Sequence, residues 1–164
     1  MCPRGPVLPK VDATFARAQL RSSSNLRANT GAVMSLDTAQ RITIEQDYYE
    51  PYAISQGIRS GNLLFLSGQA GIEASGATVP GGFEAQARQA FANIEAVLAQ
   101  AGATLADVVK ATIMVTDMSN LETIIKLRRE FFSEPYPADT LLQVAGLAQP
   151  DWQIEIDVIA QLGS

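Results

Sequence analysis

The stretch that decides the fold is residues 83–102, FEAQARQAFANIEAVLAQAG. Its apolar residues recur at steps of three and four, which places them along one side of an α-helix. They are Phe83, Ala87, Ala90, Phe91, Ile94, Val97, Leu98 and Ala101. The helix is expected to run from about Glu84 to Ala101, because Gly102 stands where a C-terminal cap belongs. A helix with one apolar side should cover one face of a sheet.

Three strands are predicted before this helix. Residues 41–45 alternate between polar and apolar side chains, as a half-buried strand does. Residues 53–59 and 63–66 are the other two candidates. The turn residues 60–62, Ser-Gly-Asn, lie between them and predict a hairpin.

After the helix, the predicted order is strand, helix, strand, strand. Residues 108–115 are rich in β-branched residues and predict a strand, and residues 121–132 predict a second amphipathic helix. The last two strands are predicted at residues 140–145 and 154–160. This order, β-β-β-α-β-α-β-β, is typical of an α+β domain.

Two helices are too few to cover both faces of about six strands. We therefore predict an α+β sandwich in which both helices pack on one face of the sheet. The opposite face needs another partner, and self-association is the economical one, since large apolar patches usually mark interfaces. The sequence leaves open which of the strand residues point away from the helices. The apolar candidates are Leu64, Leu66, Ile113, Val115, Leu142 and Val144.

The composition excludes several kinds of site. The 164 residues include no histidine, and the only cysteine is Cys2. This rules out Ser/His and Cys/His triads, zinc sites built from His or Cys, and internal disulfides. The sequence also lacks a phosphate-binding or dinucleotide-binding glycine motif and any apolar run of about 18 residues. We expect no metal, no cofactor and no membrane partner.

The charge is divided between two parts of the chain. Residues 1–33 carry five basic side chains against one acidic, and residues 34–164 carry seven basic against 16 acidic, a net charge of −9. An acidic domain repels phosphate backbones, so we expect no nucleic-acid partner. We predict one domain at residues 34–164 and a disordered basic leader at 1–33. The leader is either a mis-start before Met34, with the protein in the cytoplasm, or an organelle-targeting segment.

A set of short motifs, in one order and with few gaps, resembles the RidA/YjgF family over roughly residues 50–161. The motifs are Ser55-Gln56-Gly57, Leu66-Ser67-Gly68-Gln69, Gln86, Asn93-Ile94-Glu95-Ala96-Val97-Leu98, Ala101-Gly102-Ala103, Asp107-Val108-Val109-Lys110, Asp117-Met118, Phe131-Phe132, Pro137-Ala138 and Glu155-Ile156. The resemblance implies a chorismate-mutase-like α+β fold with a six-stranded mixed sheet and two helices on one face, a homotrimer, and pockets for a small molecule between subunits. It also implies hydrolysis of reactive enamines or imines to oxo compounds and ammonia.

The resemblance assigns site residues unevenly. Glu155 matches the family's catalytic glutamate, and Ser67 and Gly68 match its Ser-Gly at the pocket edge. At the family's substrate-binding arginine this chain has Asp139, in Pro-Ala-Asp-Thr. Three further pocket positions fall on residues that lack the family's side chain. They are Leu141 for a small or thiol residue, Ile125 for an asparagine, and Ile54 for a tyrosine that Tyr52 could replace.

Each of these residues has a structural alternative. Asp139 either selects a neutral or cationic ligand or is an aspartate beside a proline-rich turn. Glu155 is either a general base or a structural carboxylate. Arg128 and Arg129 either supply a substitute guanidinium or form a solvated helix face. Two functions follow: an enamine/imine deaminase, or a non-catalytic metabolite-binding or interaction protein of the same fold.

Overall fold

The structure is a computed structural model and describes residues 39–45 and 47–163. The prediction of a disordered leader at residues 1–33 lies outside the described residues. Seven strands and two helices follow one another in the order β-β-β-β-α-β-α-β-β. They are β1 (Gln40–Ile42), β2 (Gly57–Ser60), β3 (Leu63–Leu66), β4 (Gln69–Ala70), α1 (Gly82–Gln100), β5 (Val108–Val115), α2 (Leu121–Phe131), β6 (Ala138–Gln143) and β7 (Ile154–Gln161).

All strands join one mixed sheet in the order β1-β2-β3-β7-β5-β6, and β4 also pairs with β7. Only β5 and β6 are parallel; the other pairs are antiparallel. The predicted α+β class, mixed sheet and two helices are confirmed. The sheet has seven strands instead of the predicted six, because the sequence did not reveal the two-residue β4.

The core lies between the sheet and α1. Residues of β7 up to Ala160, and of β5 from Ala111 onward, alternate between buried and half-exposed, so each strand turns one face to the helices. The buried strand residues on this face are Leu64, Leu66, Ala111, Ile113, Val115, Ile154, Ile156, Val158 and Ala160. Four of the six residues proposed for the uncovered face, Leu64, Leu66, Ile113 and Val115, therefore belong to the core.

The two helices pack through stacked aromatic rings. Phe91 of α1 and Phe131 of α2 lie with ring centroids 4.2 Å apart and nearly parallel planes. On the solvent side, Arg88 donates to Glu130 at 2.6 Å. The end of α1 is as predicted, because Gly102 adopts a left-handed φ of 71° that a side chain would disfavour.

The face of the sheet away from the helices keeps apolar side chains at the surface. Phe65 is 41% exposed and Leu142 is 46% exposed. Phe65 pairs with Ile159, so their side chains lie together on this face. Leu142 lies elsewhere on this face, because it pairs with Met114, which in turn pairs with Glu155. Large apolar side chains exposed on one sheet face favour a covering partner.

No helix in the described part of the chain is long and apolar enough to cross a membrane.

Candidate functional site

Two clefts in the described part of the chain have no lining residue in common. The larger, called here the acidic cleft, has a volume of about 1070 Å³. Its lining residues are Tyr48, Tyr49, Tyr52, Ile54, Leu66, Ser67, Gly68, Ile72, Gly76, Ala77, Thr78, Ala148, Gln149, Asp151, Trp152, Glu155 and Asp157. The smaller, called here the arginine cleft, has a volume of about 410 Å³. It is lined by Ile125, Arg128, Arg129, Phe132, Tyr136, Pro137 and Asp139.

A β-bulge in the sheet lies at the edge of the acidic cleft. Along β7, pairing passes from Phe65 opposite Ile159 to Gln69 opposite Ile156. The chain advances four residues from Phe65 to Gln69 while β7 advances only three, from Ile159 to Ile156. The extra residue forms the bulge, and Ser67 and Gly68 lie within it. Bulges are common beside active sites because they redirect the chain.

Hydrogen bonds fix the bulge on both sides. The Ser67 hydroxyl donates to the Ser55 carbonyl at 2.7 Å, and the Ser67 amide donates to the Gln56 carbonyl at 3.0 Å. The Gln69 side chain donates back to the Ser67 carbonyl at 3.0 Å. The Ser67 side chain is thus engaged in holding the loop.

Glu155 reaches the bulge from the adjacent strand β7. Its carboxylate lies directly over Gly68, so that a Cβ built on Gly68 would overlap it, 2.7 Å from Cδ. Only a glycine permits this approach. Burial raises the pKa of the Glu155 carboxyl above its usual range, and the nearby charge of Asp157 raises it further.

Tyr49 completes this cluster from the loop after β1. Its hydroxyl donates to the Gly68 carbonyl at 2.5 Å. Burial raises the pKa of the Tyr49 phenol, and the negative charge of Glu155 adds to the effect. Tyr49 therefore stays a neutral hydrogen-bond donor beside the carboxylate.

The loop that carries Tyr49 also places Ile54 and Tyr52 at the acidic cleft. Residues 50–52 form a single 3₁₀ turn, which Ala53 ends with a left-handed φ of 58°. Tyr52 is 70% exposed, so it does not take the buried place that Tyr49 occupies.

Buried side-chain amides hold the walls of the acidic cleft. Gln86 on α1 donates to the Asp151 carbonyl at 3.0 Å and accepts from the Gln153 amide at 2.8 Å. Asn93 on α1 donates to the carbonyls of Ala70 and Ile72, both at 3.0 Å. Both amides belong to the motifs that carry the family resemblance, and they support the site without lining it.

The arginine cleft is organised by one ion pair. Arg128 of α2 donates through Nε to Asp139 at 3.0 Å, and its Nη2 donates to the other carboxylate oxygen. The two side chains are 24% and 19% exposed. This two-pronged contact is a strong form of the Arg–carboxylate pair. Arg128 is therefore not part of a solvated helix face, and Asp139 does not present an uncompensated negative charge.

The two clefts lie on opposite faces of the sheet. Asp139 pairs in register with the buried Ala111, so it shares the helix side, whereas Glu155 alternates with the buried Ile154 and Ile156 and shares the other side. A single chain therefore does not bring them together.

The predicted site residues divide between these clefts. Ser67, Gly68, Ile54 and Glu155 line the acidic cleft, and Ile125 and Asp139 line the arginine cleft. Leu141 lies in neither, because it pairs with the buried Ile113 and packs against the core.

Sequence reasoning did not assign Tyr48, Tyr49, Asp151 or Asp157 to the site. The alternation of β7 puts Asp157 on the same face as Glu155, and this signal was available from the sequence. Among the described residues, no three His, Cys, Asp or Glu side chains cluster closely enough to hold a metal ion.

Comparison with known proteins identifies the family of this fold and site. The model of the endoribonuclease L-PSP family matches residues 46–162. The chain belongs to the RidA/YjgF family. It is 37% identical over 114 residues to 2-iminobutanoate/2-iminopropanoate deaminase of Bos taurus, covering 69% of this chain and 81% of that protein. It is 42% identical over 110 residues to RutC family protein YjgH of Escherichia coli (strain K12), covering 66% and 83%.

Solved structures agree with this membership. RidA from the Antarctic bacterium Psychrobacter sp. PAMC 21119 superimposes with a TM-score of 0.70 at 35% identity, covering 75% of this chain and 99% of that chain. The protein is RidA-like at family level, and its relatives include an imine deaminase.

Proposed function

We propose that this protein hydrolyses reactive enamine or imine metabolites to oxo compounds and ammonia. The observation that carries the proposal is the Glu155 carboxylate, which lies against Gly68 inside a cleft and has a raised pKa. A carboxyl group whose pKa is raised is a stronger base, and it can both accept and return a proton.

The reaction needs little from the protein beyond orientation and proton transfer. An iminium carbon is already electrophilic, so water adds to it, and one water proton passes to Glu155. The proton then moves to the amine nitrogen, the C–N bond breaks, and R₂C=NH₂⁺ plus H₂O gives R₂C=O plus NH₄⁺. An enamine first takes a proton at carbon to reach the same iminium. Orientation and general base catalysis account for this chemistry without a histidine.

We infer that the working assembly is a homotrimer in which the acidic cleft of one subunit faces the arginine cleft of the next. Two observations support this assembly: the exposed apolar side chains on the uncovered sheet face, and the position of the two clefts on opposite faces of one chain. Light scattering of the purified protein should return three times the chain mass. A monomer mass would remove the composite site.

The direct test follows the decay of an imine made in the cuvette. 2-Iminobutanoate and 2-aminoacrylate are generated enzymatically, and their loss is compared with and without micromolar protein. Glu155→Gln should slow the protein-dependent rate by about 10²-fold or more, the usual contribution of a general acid or base. Glu95→Gln is the matched control, since it changes an exposed carboxylate of α1 outside both clefts.

The second candidate function is a non-catalytic metabolite-binding protein of the same fold. The Arg128–Asp139 pair favours it, because the guanidinium already has a carboxylate partner within its own chain. If the protein does not speed the decay of any imine over the rate in buffer, the non-catalytic binding function is favoured. RNA cleavage, which the family description names, is not supported by an acidic cleft, because phosphate backbones are repelled by carboxylates.

A further inference from the structure

The charges that line the acidic cleft are all of one sign. Asp151, Glu155 and Asp157 contribute three carboxyl groups, and none of the described residues that line the cleft is Lys or Arg. Asp157 is close enough to Glu155 for its charge to raise the pKa of the Glu155 carboxyl. Such a cleft repels a carboxylate ligand and attracts a cation.

Aromatic side chains line the same cleft. Tyr48, Tyr49, Tyr52 and Trp152 are among its lining residues. Aromatic faces attract cations through the negative charge above the ring, and this attraction strengthens where water is excluded. Aromatic rings beside carboxylates are therefore a combination that suits an organic cation with an apolar body.

The size of the cleft favours a bulky ligand. Its volume of about 1070 Å³ lies at the upper end of typical small-molecule sites, roughly 300–1,000 Å³. A four-carbon imino acid would occupy only a small part of it. The exposed Ile54 side chain adds apolar surface at the cleft wall.

The arginine cleft does not reverse this balance, even if a neighbouring subunit places it opposite. Arg128 is engaged by Asp139, so only Arg129 adds net positive charge. The two clefts together contain four carboxyl groups, three in the acidic cleft and Asp139 in the arginine cleft, and two guanidinium groups. A site formed from both clefts therefore keeps an excess of acidic groups.

We propose that the acidic cleft binds a cationic nitrogen compound that carries an aromatic or bulky apolar group and no carboxylate. The substrate class would be iminium ions derived from arylalkylamines rather than from amino acids. This inference rests on the proposed function for the reaction itself, but the binding preference is independent of turnover.

The test compares three stable probes of similar size and different charge by calorimetry or ligand-observed NMR. They are 2-phenylethylammonium, 2-phenylethanol and 3-phenylpropanoate. We expect the ammonium ion to bind roughly tenfold tighter than the neutral alcohol, the combined effect of one ion pair and one cation–π contact. The anion should bind more weakly than the alcohol.

Substitutions assign the preference to the cleft. Asp151→Asn and Asp157→Asn should each weaken binding of the ammonium ion by about two- to fivefold, the range of partly exposed ion pairs, and leave binding of the alcohol unchanged. Glu95→Gln removes the same charge from the exposed surface of α1 and should change neither affinity. Thermal melts confirm that each variant is folded.

The outcomes separate this inference from the proposed function. Tighter binding of 3-phenylpropanoate than of 2-phenylethylammonium, or no binding of any probe, would overturn the inference, and 2-iminobutanoate turnover could still establish the deaminase. Selective ammonium binding without release of ammonia from any imine would support the binding preference and overturn both the substrate class and the proposed reaction. The productive case is faster ammonia release from the imine of 2-phenylethylamine, made by an amine oxidase, than from 2-iminobutanoate.

Discussion

The two clefts treat a carboxyl group in opposite ways. In the arginine cleft, Asp139 receives two hydrogen bonds from Arg128, and its charge is matched within the chain. In the acidic cleft, Glu155 lies half-buried near Asp157, with its pKa raised by burial and by that charge. A matched carboxylate contributes to structure, whereas an unmatched one remains free to exchange a proton or bind a cation. The contrast explains why the proposed reaction is placed in the acidic cleft.

The largest expected effect is at the bulge. Gly68→Ala would push the Glu155 carboxylate from its place, and a misplacement of about 1 Å can reduce a rate about 10²-fold. Imine decay or probe binding measures the loss. Because the displaced atoms are the end of a flexible side chain, the melting temperature should change little.

Two glycine substitutions serve as controls for this variant. Gly146→Ala meets no atom within 4 Å and should leave function and stability unchanged. Gly71→Ala overlaps the backbone of Gln86 on α1, 2.7 Å from its carbonyl oxygen, and should cost about 1–3 kcal/mol of stability. Normal activity in Gly68→Ala would show that the position of Glu155 is unimportant.

The Arg128–Asp139 ion pair of the arginine cleft should contribute to the free energy of unfolding. Arg128→Ala leaves Asp139 without its partner and should lower the free energy of unfolding by about 1–2 kcal/mol, between the values for exposed and buried pairs. Chemical denaturation measures it, and the double variant with Asp139→Ala should recover part of the loss. Arg129→Ala, which changes an exposed neighbour in the same helix, is the control. Equal losses from Arg128→Ala and Arg129→Ala would contradict a specific pair.

Removing one hydroxyl tests how the acidic cleft is held. Tyr49→Phe loses the hydrogen bond to the Gly68 carbonyl and should cost about 1 kcal/mol of stability. Tyr52→Phe removes the same hydroxyl from an exposed ring of the same loop and should be silent. A thermal or denaturant melt compares the two, and identical melts would argue that the contact is not formed in solution.

The smallest effect is a dependence of stability on pH. The pKa of Glu155 is raised above its ordinary value of 4.5, so the folded protein binds its proton more tightly than the unfolded chain. The resulting stabilisation is complete below pH 4.5 and is lost as pH rises through the folded value. Glu155→Gln should remove this loss, and Glu95→Gln should keep it. Melting temperatures measured from pH 4.5 upward show how stability changes with pH in each variant.

The sequence predicted the elements whose ends carry local signals. Gly102 ends α1 where a left-handed residue is needed, and the turn at 60–62 separates β2 from β3. The second strand was predicted to begin at residue 53, but β2 begins at Gly57. Ala53 adopts a left-handed conformation, which is unusual for alanine and cannot be predicted from its side chain. In Leu63–Leu66 all four residues are apolar, so no alternation shows which of them face the helices.

The site was less predictable because its contacts join distant parts of the chain. Tyr49 and Gly68 are 19 residues apart, and their contact depends on the 3₁₀ turn between β1 and β2. The pairing of Arg128 with Asp139 depends on how the end of α2 sits over the start of β6. Family resemblance predicted Ser67, Gly68 and Glu155 as site residues, but it did not predict the ion pair between Asp139 and Arg128.

Strand β7 carries the core and the acidic cleft on the same eight residues. Ile154, Ile156 and Val158 point to one side, and Glu155 and Asp157 point to the other. A single inserted or deleted residue would exchange the two sets, burying carboxylates and exposing isoleucines. The core therefore fixes the length of β7, whereas a substitution at Glu155 or Asp157 would change the charge of the cleft and leave the core side chains in place. The loops around the cleft have no such alternation, so a change of their length would leave the two sides of β7 as they are.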